Sequence, residues 1–193
     1  MKKENIWISI FSVILIFSIV MTSLQYSSMT GFATSGSTVS NVTIVSYLSI
    51  SMSTNLQAGI LFGSVDTLPA NYINASHNYD GGSSASTMFI NVSTDSNSNV
   101  DFCIKANANL QDTGTDIIGI GNETYSNSTT TDGSIPLIAN NVSLTTSYVK
   151  AGSNIGRGNV SYYRAWLNIP AAQAPGTYNN SVMFEGVVAG GSC

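Results

Sequence analysis

Residues 41–55 have the sequence NVTIVSYLSISMSTN, in which apolar and polar side chains largely alternate. Because successive side chains of a β-strand point to opposite faces of a sheet, this alternation predicts one long strand with a buried and a solvated face. Its partner is either another strand of its own domain or the sheet edge of a second molecule, and the pattern leaves both alternatives open. The predicted apolar face, which would also be the strand-donor face, consists of Val42, Ile44, Leu48, Ile50 and Met52.

The segment before this stretch has the layout of an export signal. Two lysines precede an apolar run over residues 6–20, and a polar stretch then ends at the small residue Ala33. The run is shorter than the roughly 20 apolar residues that span a bilayer. A retained anchor helix, which would be the chain's membrane contact, and a pilin-type leader are the alternatives. We predict a signal peptide over residues 1–33, a flexible linker over 34–40 and a single extracellular domain over 41–193.

The composition limits the class of partner. Only 8% of the 193 residues are charged, whereas 43% are hydrophobic. Four basic and nine acidic residues follow Ala33, without a basic run, which argues against binding to nucleic acid or to an anionic membrane. The predicted partners are copies of the same chain, with surface glycans as a second class, and no cofactor is expected.

Period-two alternation continues along the whole chain beyond the linker. Short runs bounded by Gly, Pro, Asn or Asp follow one another without an intervening helical pattern. This spacing predicts an all-β, antiparallel two-sheet sandwich of the immunoglobulin-like or jelly-roll type, preceded by a hydrophobic signal or anchor helix. The predicted strands after the first are residues 59–65, 86–94, 100–108, 116–120, 136–144, 146–151, 159–170 and 177–188.

Two pairs of these strands are predicted to form hairpins. Turn-forming residues 95–99 separate the runs 86–94 and 100–108, and a turn containing Pro and Gly separates 159–170 from 177–188. The side chains predicted to face the core are Met88, Ile90, Val92, Val100, Phe102, Ile104, Ala106, Tyr163, Ala165, Leu167, Ile169, Tyr178, Val182 and Phe184.

The sequence around the turn between residues 159–170 and 177–188 is similar to that of known proteins. Pro170 is followed by Ala-Ala-Gln-Ala, then by Pro175-Gly176-Thr177-Tyr178 and an alternating Val182 and Phe184. This phrase resembles the closing hairpin of many prokaryotic cell-surface β-sandwich domains. The order of leader, long strand and Ser/Thr/Asn-rich domain is similar to that of secreted archaeal surface-layer and filament subunits. The resemblance implies a structural subunit whose N-terminal strand inserts into the next copy.

Eight asparagines lie in Asn-x-Ser/Thr acceptor sequences, which are chemically available for glycosylation on an exported chain. Asn74, Asn122 and Asn127 are predicted to lie in the most polar loops and are the preferred sites. The full set is Asn41, Asn74, Asn91, Asn122, Asn127, Asn141, Asn159 and Asn179.

Cys103 and Cys193 are the two cysteines of the chain. In an exported protein an even number of cysteines favours a disulfide. An internal bridge, a bridge between subunits and two free thiols all remain open, because Cys193 is the last residue and Cys103 alternates with core-facing neighbours.

No residue pattern indicates catalysis or a metal site, so we do not expect an enzyme. His77 is the single histidine, and neither a nucleophile elbow nor a zinc-protease motif occurs. Asp95, Asn97, Asn99 and Asp101 supply oxygens at alternate positions, as calcium loops do, but such a loop also needs Gly and Glu at positions that hold Val100 and Ala106. A turn is the favoured interpretation.

Tyr162 and Trp166 alternate with the core-facing residues of the run 159–170. They would form either a binding platform or subunit contact, or packing against the core or a second sheet, and packing is the favoured interpretation. The leading functional hypothesis is a structural subunit that assembles by strand addition. The alternatives are a monomeric carbohydrate-binding or adhesive module and a type IV pilin-like subunit that retains its N-terminal helix.

Overall fold

The computed structural model describes residues 3–27, 39–81, 87–128 and 134–193. The chain divides into two compact units, residues 1–43 and residues 44–193. We call the second unit the β-domain. The boundary between the units lies within the stretch 41–55.

The first unit contains the helix α1, Lys3–Ser27, which includes the apolar run. The side chains of residues 10–22 are exposed. In the part of the chain that the structure describes, no helix has both the length and the apolarity that a membrane crossing requires. The predicted cleavage site at Ala33 lies outside the described residues.

The β-domain consists mainly of antiparallel strands, which confirms the predicted all-β class. A six-stranded sheet has the order β1-β3-β10-β7-β8, with β2 also paired to β10; a three-stranded sheet has the order β11-β4-β9, and β5 pairs with β6. A short helix α2, Thr54–Gln57, follows β1. The strands are β1 Ile50–Met52, β2 Ala70–Asn74, β3 Phe89–Val92, β4 Val100–Ala106, β5 Leu110–Gln111, β6 Ile117–Ile118, β7 Glu123–Asn127, β8 Val142–Ser143, β9 Val149–Ile155, β10 Val160–Ile169 and β11 Val182–Val188.

The six-stranded and three-stranded sheets share one hydrophobic core. Ile90 and Val92 enter it from β3, whereas Phe102 and Ile104 enter it from β4. Tyr163 of β10 contacts Phe184 of β11 edge to face, with 5.4 Å between the ring centroids. The core-facing residues predicted from the alternation are thus confirmed in the strands that carry them, with Leu167, Ile169 and Tyr178 in a second, smaller cluster.

Both predicted hairpins are wrong. Strand β3 pairs with β1 and β10, whereas β4 pairs with β9 and β11, so the turn at 95–99 crosses from one sheet to the other. Strands β10 and β11 also belong to different sheets. Alternation specifies which side chains face the core, and both arrangements bury the same side chains, so it does not specify the hydrogen-bonded neighbour.

Candidate functional site

Residues 45–49 lie along the turn 95–99, and side chains of that turn take the place of a neighbouring strand. The amide group of Asn97 accepts a hydrogen bond from Tyr47 N at 2.7 Å and donates one to Val45 O at 2.9 Å. Asn97 N also donates to Tyr47 O at 3.1 Å. A carboxamide combines N–H donors with a C=O acceptor, as a peptide group does, so Asn97 pairs with this segment as a strand residue would.

The buried hydroxyl of Ser96 continues this pairing. It accepts a hydrogen bond from Ser49 N at 2.9 Å and lies 3.2 Å from Ser49 O, to which it donates. Ser93 N donates to Ser49 O as well, at 2.8 Å. We call Ser96 and Asn97 the clasp. It fastens residues 45–49 to the end of the β-domain where β3 ends and β4 begins.

The predicted single strand over 41–55 is wrong. Only Ile50–Met52 form a strand, and they pair with β3 of the same domain. The strand ends because Ser53 caps α2, its hydroxyl accepting a hydrogen bond from Leu56 N. Of the predicted donor face, Leu48 and Ile50 pack on the domain's own core, whereas Val42, Ile44 and Met52 are 81%, 80% and 39% exposed.

The structure therefore divides the stretch into two parts. Residues 45–52 are held within their own domain. Residues 39–45, which we call the N-terminal segment, form neither helix nor strand, and they carry the exposed side chains of Val39, Val42, Ile44 and Val45. Val45 belongs to both parts because the clasp binds its carbonyl oxygen while its side chain is exposed.

A groove of about 1170 Å³ opens at the opposite end of the β-domain. Its lining includes Ile169 at the end of β10, while the clasp lies near the start of β10. The lining extends from Ile169 to Met52, which is five residues from Tyr47, so the clasp lies within about 17 Å of the nearest wall of the groove at roughly 3.3 Å per residue. The apolar residues of its lining include Leu56, Leu61, Phe62, Val182 and Phe184.

Strand β11 forms one wall of the groove and is an edge of its sheet. Among the described residues it pairs with β4 alone. Asn107 N donates to Ser181 O, and Ala189 N donates to Asn99 O. Because antiparallel pairs alternate between bonded and non-bonded positions, this register directs the backbone groups of Val182, Phe184 and Gly186 away from β4. The open edge therefore offers unused hydrogen-bonding groups.

Gly186 keeps the neighbouring layer close to this edge. A Cβ atom at this position would lie 3.1 Å from Val100 Cγ1 and 3.2 Å from Ile50 Cγ2. The absent side chain lets β1 of one sheet approach β11 of the other. The groove begins where this close contact ends, toward Phe184.

Glu123 forms the buried polar part of the groove. Its carboxyl group accepts a hydrogen bond from Asn180 Nδ2 at 2.8 Å. Burial raises the pKa of Glu123 above its ordinary value of 4.5, against the opposing effect of that hydrogen bond. The described lining contains a second acid, Asp66, and neither lysine nor arginine. The groove therefore disfavours an acidic occupant and offers apolar contacts.

The disulfide lies on the three-stranded sheet, in the middle of β4. Cys103 and Cys193 are joined within one chain, which is the first of the three alternatives left open by the sequence. Next to Cys103 on β4, Asp101 accepts hydrogen bonds from Lys150 Nζ at 2.6 Å, Asn154 N at 2.7 Å and Gly190 N at 2.9 Å. The last residues of the chain are thus fastened over β4.

Asp101 contrasts with Glu123 in its electrostatics. Burial favours a higher pKa, but the hydrogen bonds from Lys150, Asn154 and Gly190, together with the charge of Lys150, outweigh it. They hold the pKa of Asp101 below its ordinary value of 3.8.

The residues of the calcium-like sequence are directed to different partners. Asn97 binds the segment 45–47, Asn99 donates to Asn154 Oδ1, and Asp101 binds Lys150. No cluster of metal-binding side chains occurs in the described ranges. The turn interpretation agrees with this arrangement.

The eight acceptor asparagines fall into two groups by burial. Asn122 and Asn127, two preferred sites, are half-buried and donate to backbone oxygens of Gly119 and Ser128. They lie in a short 3₁₀ turn and in β7, so their placement in polar loops is wrong. The half-buried group is completed by Asn91 and Asn141, and the exposed group is Asn41, Asn74, Asn159 and Asn179.

The aromatic residues of β10 do not form an exposed platform. Trp166 is buried. Tyr162 is half-buried and stacks on Tyr79, with 3.9 Å between the ring centroids. His77 is exposed and has a positive φ of 65°. The packing interpretation therefore fits these aromatics better than a binding platform.

The alternation pattern did not identify the groove, the β11 edge or Glu123. Residues 59–65 were predicted as a strand but form an irregular wall of the groove. The isolated Gly186 within an alternating run was a usable signal, because such a glycine marks a close backbone approach.

No family model, curated protein or solved structure matches the chain. What the protein does is therefore inferred from its own residues.

Proposed function

We propose that the protein is an exported structural subunit of a cell-surface filament or layer, which assembles with copies of itself by β-strand addition. The observation that carries this proposal is the exposed, apolar N-terminal segment next to residues that the clasp holds in place. The donor is this segment rather than the whole stretch 41–55, because Leu48 and Ile50 already pack on their own core.

The exposed side chains supply the driving force for assembly. Burial of an aliphatic side chain of this size contributes roughly 1.5–3 kcal/mol, so Val39, Val42, Ile44 and Val45 are costly to leave in water. Main-chain hydrogen bonds to an open sheet edge add affinity, while alternate side chains in pockets add specificity. Val42 and Ile44 are two residues apart and would enter such pockets together, whereas Asn41 and Thr43 would face outward.

The proposed location is the cell surface or the extracellular space. Support comes from the signal-like layout of residues 1–33 and from the eight acceptor asparagines. A disulfide within the β-domain also suits an oxidising compartment. If the leader is not cleaved, the membrane contact is limited to the N-terminal helix.

Deletion of residues 39–44 tests the donor role. We expect the secreted full chain to form polymers visible by electron microscopy, and the deletion variant to remain monomeric with an unchanged Tm, because the clasp contacts begin at Val45. The matched control replaces residues 34–38 with Gly and Ser of equal length and should polymerise normally. Polymers formed by the deletion variant would overturn the proposal.

A pilin-like subunit is the second candidate, favoured by the continuous helix Lys3–Ser27. In that case the helix stays in the mature protein and drives assembly. The N-terminal sequence of the assembled protein distinguishes the two: a start near Thr34 supports strand addition, whereas a start near Ile6 supports a pilin-like assembly.

A further inference from the structure

We propose that the open edge of β11 and the groove beside it are the acceptor site for the N-terminal segment of a second copy of this chain. This inference rests on the proposed function and adds the acceptor surface to which the donor segment would bind.

The backbone of β11 provides the first argument. Its outward positions are Val182, Phe184 and Gly186, and no other strand of the described chain occupies them. The strand has seven residues, and the N-terminal segment, 39–45, also has seven. An added strand of this length would therefore cover the whole free edge.

The side chains beside this edge provide the second argument. Val182 and Phe184 are only partly buried, although both pack on the core. Leu61, on the facing wall, is 52% exposed. An extended chain against β11 would place every second side chain between these walls, and Val42 and Ile44 have the spacing and the apolar character for this position.

The charge of the N-terminal segment is compatible with that of the groove lining. The segment VSNVTIV contains no charged residue. The described groove lining contains acids but no basic residue, so an acidic occupant would be repelled, whereas an uncharged segment is not.

The clasp directs the chain's own N-terminal segment away from the groove, so we assign the groove to the segment of a second copy. From Ser49 back to Val45 the chain runs away from the groove, because Met52 lines the groove and Tyr47 is held by Asn97 at the other end. The chain thus enters the β-domain on the side of β1 that is away from the groove. A head-to-tail contact of this kind repeats without closing, which produces a filament.

Photocrosslinking tests the location of the acceptor without assuming a register. Val42 is replaced by a benzophenone amino acid in the full chain, and polymers of mixed isotope-labelled and unlabelled protein are irradiated. We expect adducts between copies to map to residues 52–62 and 173–186. A probe at Ser153 on β9, the other edge of the same sheet, is the control and should give adducts elsewhere.

A proline substitution tests the edge itself. V182P removes an N–H that points away from β4 and leaves the ladder with β4 intact. We expect the concentration required for assembly to rise about tenfold or more, since a main-chain hydrogen bond and close approach are both lost. V182A, which keeps the N–H, is the matched control and should have a smaller effect.

The outcomes separate this inference from the proposed function. If polymers form and require residues 39–44, but the adducts map to β8 or β9, the acceptor assignment is overturned while strand donation stands. If the full chain forms no polymer under secretion conditions, the proposed function fails and the acceptor assignment fails with it.

Discussion

The two ends of the β-domain use their polar groups in opposite ways. At the clasp end, Asp101 binds three donors, and residues 45–49 are paired by Ser96 and Asn97. At the groove end, Glu123 is buried in an acidic and apolar lining, and the β11 edge has no neighbouring strand in the described chain. At the clasp end the carboxylate of Asp101 and the backbone of residues 45–49 are paired within the domain, although the buried Asn91 Oδ1 has no partner, whereas the β11 edge leaves backbone groups unpaired. Such an asymmetry would suit the directional assembly proposed above.

The largest effect is expected from D101A at the clasp end. The change leaves Lys150, Asn154 N and Gly190 N without their common acceptor, which should lower the free energy of unfolding by about 3 kcal/mol. For a domain of this size the Tm should fall by roughly 6–10 °C. Chemical denaturation and thermal melting measure both values.

The contribution of Asp101 to stability should depend on pH, and K105A is the control variant for D101A. Because the pKa of folded Asp101 is lowered, its contribution to stability is present above pH 3.8 and is lost as the pH falls through the lowered value. K105A, which removes a lysine that contacts Tyr148 instead, should change stability by less than about 1 kcal/mol. Equal effects of the two variants would contradict the central role of Asp101.

A smaller effect is expected from N97A, which opens the clasp. Two hydrogen bonds to residues 45–47 are lost, at a cost of about 1–2 kcal/mol. The amide of Tyr47 should then exchange with deuterium faster, while the amides of β4 stay protected. N99A is the matched control, because Asn99 binds Asn154 and not the segment. Unchanged exchange at Tyr47 in N97A would show that the clasp does not hold the segment.

The smallest effect is expected from E123Q at the groove end. Since the pKa of folded Glu123 is raised, the folded state binds more protons than the unfolded chain, and its stability falls as the pH rises from 4.5 through the raised value. E123Q keeps an acceptor for Asn180 and should be more stable than the native protein at pH 7 but not at pH 4. The free energies of unfolding at both pH values test this. A native protein that gains stability over this range relative to E123Q would contradict it.

The core shows how far the sequence leads. Alternation correctly placed Met88, Ile90 and Val92 on one buried face and Phe102 and Ile104 on another. It failed for the connections, because the five residues 95–99 suit a hairpin turn and a crossover between sheets equally well. The stretch 41–55 failed for a related reason. Its alternation is continuous, but Ser53 caps a helix and the turn at 95–99 binds residues 45–49 through side chains.

The sequence by itself determined the β class, the buried faces, the signal-like N-terminus and the apolar character of the segment 39–45, because these properties depend on local side-chain order. Only the tertiary structure decided which strands are neighbours, that β11 is an open edge, and that the clasp and the groove lie at opposite ends. These properties depend on contacts between residues that are far apart in the chain, and many arrangements bury the same alternating side chains equally well.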